Sequence, residues 1–112
     1  MIVIFRGKKW RVGDIPVEQL SGRGVKVDVL EQADSDPDYQ VVVSDFEAHE
    51  QKYGRILENS IVLIHTGQHI YYPNRTRYFG YPMNTPVEAN NIKDLHFPGL
   101  HPDAAEWLII NR

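Results

Sequence analysis

His65 and His69 stand four residues apart in His65-Thr66-Gly67-Gln68-His69, a spacing at which two imidazoles can share a metal ion on a helix or across a suitable turn. A β-branched run, Ile61-Val62-Leu63-Ile64, leads into Thr66-Gly67, and this argues against a regular helix at that point. His96 precedes Phe97-Pro98-Gly99, where a side chain could face a substrate pocket or simply bond to backbone. His49 sits between Glu47 and Glu50 in a charged helical stretch and reads as solvated or ion-paired. His101 stands just before Pro102-Asp103, at a helix-cap position, although Ser, Thr, Asp or Asn would cap better. Asp34, Asp36 and Asp38 alternate like calcium ligands, but Pro37 and the missing distal glutamate make an acidic turn the better reading. Gly22-Arg23-Gly24 is too short for a phosphate loop. Tyr71, Tyr72, Tyr78, Phe79 and Tyr81 either line a pocket for an aromatic ligand or cover scaffold. With no cysteine, thiolate ligands, thiol nucleophiles and disulfides are excluded together.

The elements that must position these side chains are short. Ile2 to Phe5 reads as a strand, and Pro16 to Leu20 as a helical turn. Val25 to Leu30 alternates apolar with polar residues and reads as a half-buried strand. An acidic loop from Asp34 to Asp38 and an extended run from Gln40 to Val43 follow. Ser44 with Glu47 forms a capping-box pattern opening a helix to Tyr53, with Gly54 set to end it in the left-handed conformation. Ile61 to Ile64 reads as a strand buried on both faces. Gln68 to Leu100 carries no clear period and reads as a long loop. A last helix begins at Pro102, with Asp103 near its positive end.

These 112 residues are expected to form one domain, 1–112, of α/β class: a mixed sheet with flanking helices. Hydrophobic residues make up 42% and charged residues 24%, and the formal charge is -3. That balance argues against nucleic acid or an anionic membrane as partner. No apolar run approaches the length of a bilayer span, and a cytoplasmic protein is the expectation.

Three stretches together resemble the cyclase family, which includes kynurenine formamidases (arylformamidases) and isatin hydrolases. They are Trp10 to Leu20 with Gly22 and Val27-Asp28-Val29; Asp36 to Val41 with Asp45-Phe46-Glu47, Gly54 and Ile61 to Gly67; and Leu95 to Leu108, the most specific of the three. The resemblance implies a β/β/α swivelling-domain-like fold, zinc or another divalent metal in the complete family fold, and hydrolysis of N-formylkynurenine-like amides in tryptophan catabolism. It also implies that this chain corresponds to the interior of such an enzyme, roughly half of it, with an HxGTHxDxPxH ligand motif before it and further ligands after it. His65, Gly67, His69 and Pro73 fall in partial register with that motif, but Gln68, Tyr71 and Arg75 replace its remaining positions. The flanking matches instead place His65 near the rim of the substrate pocket, where His96 is the other candidate, and no catalytic residue is assigned. The expectation is a truncated hydrolase that binds no metal and is inactive alone, with His65 and His69 as a rival metal pair. Bare sheet edges further predict poor solubility, homo-oligomerisation or pairing with a full-length relative, and a non-enzymatic interaction module is the alternative function.

Overall fold

A computed structural model describes residues 11–82 and 92–111. The strand expected at Ile2 to Phe5 lies outside the described residues. Alternation makes β1, Gly24–Asp28, as read: Val27 is buried while Lys26 and Asp28 face outward. It pairs in parallel with β3, Ile61–His65, in a register that sets Gly24 opposite Ile61 and Asp28 opposite His65. A second parallel pair joins β2, Gln40–Val41, to β4, Gly99–Leu100. Hydrogen bonds from Gly99 N–H to the Tyr39 carbonyl (2.9 Å) and from His101 N–H to the Val41 carbonyl (3.0 Å) extend that short ladder.

The expected strand to Leu30 stops at Asp28, because the Asp28 carboxylate accepts the Leu30 N–H at 3.1 Å and turns the chain into helix α1, Leu30–Ser35. Asp34 and Ser35 therefore belong to a helix, and the acidic turn proper is Asp36-Pro37-Asp38. In that turn the Asp36 carboxylate accepts the Asp38 N–H at 3.0 Å.

Helix α2, Val43–Tyr53, starts two residues earlier than a Ser44 cap would set it, with Val42 at the N-cap. Its cap is Asp45, whose carboxylate accepts the Val42 N–H at 2.8 Å, so the Ser44–Glu47 box is not the one used. The same carboxylate accepts the Tyr39 hydroxyl at 2.8 Å. Partial burial, and then this bond to an anion, push the Tyr39 phenol up to about 12. A phenol raised in this way contributes stability that is full below its ordinary value of 10.0 and lost only as pH rises through about 12. Gly54 has the positive φ expected of it, 91°, but ψ is 168°, extended rather than left-handed helical. The Glu50 carboxylate catches the chain beyond it, accepting the Ile56 N–H at 2.9 Å.

Strand β3 is not buried on both faces; Leu63 is 43% exposed. The stretch read as a long loop contains a 3-10 turn, Gln68–Tyr71, helix α3, Arg75–Phe79, and β4. Asn74 caps α3 by accepting the Arg77 N–H at 3.0 Å, and Gly80 ends it at φ 66°.

Helix α4, Pro102–Asn111, matches its sequence signal, and the His101 Nδ1 accepts the Asp103 N–H at 3.2 Å as a cap. Ala104 and Leu108 on this helix join Val27, Val29, Val41, Phe46 and Ile56 in the core, with Trp107 stacked on Phe46 at 5.9 Å between ring centres and 6° between planes. Phe46→Ala is expected to lower the unfolding free energy by about 3–5 kcal/mol in denaturant titration. Leu57→Ala, at a 50% exposed position, should change it by roughly 0.5 kcal/mol or less.

Candidate functional site

The sheet delivers Ile64 to the end of β3, and the chain then leaves it through Gly67 at φ 77°. A side chain on Gly67 would run into the end of Leu30, so this turn needs glycine for space as well as for conformation. Gln68 lies just beyond, and its amide Nε2 donates to the carbonyls of Tyr78 (2.6 Å) and Arg77 (3.3 Å), fastening α3 to the turn that follows β3. From the other side the His96 N–H donates to the Phe79 carbonyl at 3.0 Å. Gly80 abuts the His96 carbonyl so closely that a Cβ there would collide with it.

These fastenings enclose a cleft of about 390 Å³. Ile64, Tyr78, Phe79, Phe97 and Pro98 form its largely apolar wall, and Thr66 and Gln68 bring polar groups to it. Of the aromatic cluster singled out in the sequence, Tyr78 and Phe79 reach this cleft. Tyr71 and Tyr81 lie instead under the guanidinium groups of Arg77 and Arg75, at 4.6 and 4.7 Å.

His65 and His96 are each next to lining residues in sequence, but neither side chain lines the cleft. Each is turned to a carboxylate that sequence spacing did not reveal. His65 Nδ1 lies 3.2 Å from Asp28 Oδ1, a close contact that lies off the axis of an in-line hydrogen bond. His96 Nδ1 meets both oxygens of Asp38 at 2.8 and 3.0 Å, joining segments 58 residues apart. Asp38 is thus engaged with an imidazole, and the alternating aspartates are divided between a helix and a turn. His49 packs its ring on Tyr53 at 5.0 Å.

The His65 and His69 rings do come together, with centres 5.6 Å apart. Among the described residues, however, no three His, Asp or Glu side chains converge as a metal-binding group. Hydrolytic zinc needs about three protein ligands and an open position for water. The described residues do not fit that requirement.

Residues 3–112 match the family model described as "Putative cyclase". The chain belongs to this cyclase family. Among solved structures it is similar to an isatin hydrolase crystallised with the product analogue thioisatinate, with a TM-score of 0.71 and 22% sequence identity. That likeness covers 87% of this chain and 34% of the other, so the cyclase chain spans about a third of the structure it matches, less than the half expected from the sequence. No curated protein matches it. Among the described residues no helix is long and apolar enough to cross a membrane.

The Asp28 carboxyl is held below its ordinary value of 3.8, first by the Leu30 N–H, then by His65 and, more weakly, by Lys26. A depressed carboxyl contributes stability above its unfolded value that is lost as pH falls through the folded one, here on the acid side of 3.8. Carboxyl NMR titration should give an Asp28 midpoint below 3.8. His65→Ala should move it upward but not fully to 3.8, because the Leu30 bond remains; an unmoved midpoint would deny the contact.

Proposed function

We propose that this chain supplies the scaffold and one wall of the substrate cleft of a metal-dependent amide hydrolase of the arylformamidase kind. On this reading the substrates are N-formylkynurenine-like amides of tryptophan catabolism, and the compartment is the cytoplasm. Zinc or another divalent cation is held by residues beyond those of this chain, and the 112 residues alone do not turn substrate over.

The cleft carries the reading. Its walls of Tyr78, Phe79, Phe97 and Ile64 suit a flat aromatic ring, while Thr66 and Gln68 offer polar contacts at one side. Membership of the cyclase family and the shared fold with an isatin hydrolase support the hydrolase reading. Inactivity of the chain by itself is supported by the ligand count: the undescribed positions add one ligand-type side chain, Glu88, and no histidine or cysteine. Without a full ligand set, no bound water reaches the low pKa that metal hydrolysis uses at neutral pH.

The alternative is a non-enzymatic interaction module that pairs with a second copy or a longer relative. The 43% exposure of Leu63 on β3 favours it, since parallel strands are ordinarily covered on both faces. A well-behaved monomer in solution would contradict that alternative.

The purified chain, given zinc and N-formylkynurenine, is expected to produce kynurenine no faster than buffer does. Chelator-sensitive hydrolysis by the chain would overturn the proposal of inactivity.

A further inference from the structure

The paired rings of His65 and His69 lie outside the cleft lining. A zinc–nitrogen bond of ~2.0–2.1 Å places the ion about 3 Å from an imidazole centre, so two imidazoles on one tetrahedral ion have centres ~5 Å apart. The observed 5.6 Å is within a small side-chain rotation of that separation. His69 is exposed, so its ring can make the adjustment in solvent. His65 is the more fixed of the two, on the last residue of β3, with its side chain 28% exposed. Asp28 faces its Nδ1 at 3.2 Å, which leaves Nε2 as the ligating nitrogen. Once a small turn of the ring brings that contact in line, a carboxylate behind a histidine fixes the tautomer and raises the basicity of a metal-ligating imidazole.

We propose that His65 and His69, backed by Asp28, form a two-imidazole site for a borderline transition-metal ion such as zinc, completed by water. Two protein ligands hold such an ion weakly and exchangeably, so the site is distinct from a hydrolytic centre with its fuller ligand set. No carboxylate completes a third protein ligand position among the described residues. Imidazole coordination selects zinc, copper or nickel over magnesium or calcium.

Zinc chloride titrated into the purified 112-residue chain, followed by calorimetry, should show one saturable site. His65→Ala and His69→Ala should each weaken binding at least tenfold. Asp28→Asn, which keeps side-chain size but removes the charge, should weaken it by about 10-fold or more. His101→Ala should leave zinc affinity unchanged. Thermal melts establish that each variant is folded, and His69→Gln, at an exposed position, serves as the second test should His65→Ala unfold. Absence of saturable binding up to millimolar zinc, or unchanged affinity in folded His69→Ala and His69→Gln, would overturn the proposal. The readout is binding rather than turnover, so its failure would leave the proposed cleft function untouched.

Discussion

Phe46 is fully buried with its ring stacked on Trp107, and that contact joins two parts of the chain that local structure alone would leave apart. Helix α2 brings Phe46 and helix α4 brings Trp107, while Val27 and Val29 of the first strand region and Val41 of the second close over the same core. Both short parallel ladders depend on this packing, since two-stranded sheets have little stability by themselves. Asp45 adds a polar hinge to the same region by holding both the start of α2 and the Tyr39 hydroxyl.

The cleft follows from that core by a short chain of causes. Pairing of β1 with β3 fixes where Ile64 and Thr66 lie, and glycine at 67 lets the chain turn tightly beside Leu30. Gln68 then spends its amide on the backbone of α3, bringing Tyr78 and Phe79 to the opposite wall. His65 and His96, the two pocket candidates of the sequence, face aspartates outside the cleft wall, and this separates pocket from imidazole.

Much of the scaffold was legible because its signals are local. The alternation in Val25 to Asp28, the Pro102-Asp103 helix start and the cap position of His101 all read directly from neighbouring residues. Helix α1 was hidden because one bond from Asp28 overrides the strand pattern that continues to Leu30. Helix α3 was hidden because it is five residues long, with Asn74 and Gly80 as its only signals and no room for a period. The Asp28–His65 and Asp38–His96 pairs join residues far apart in sequence, so no spacing rule could find them. Burial of β3 was overestimated because a continuous apolar run does not reveal which neighbours cover it.

The chain belongs to the cyclase family, and the function proposed for it is scaffold and cleft rather than a tight catalytic metal centre. Elemental analysis of zinc in the folded, purified chain after exhaustive dialysis tests that proposal most directly. The account predicts far less than one zinc per chain, because a two-imidazole site releases its ion on dialysis. A ratio near one zinc per chain surviving that treatment would contradict it.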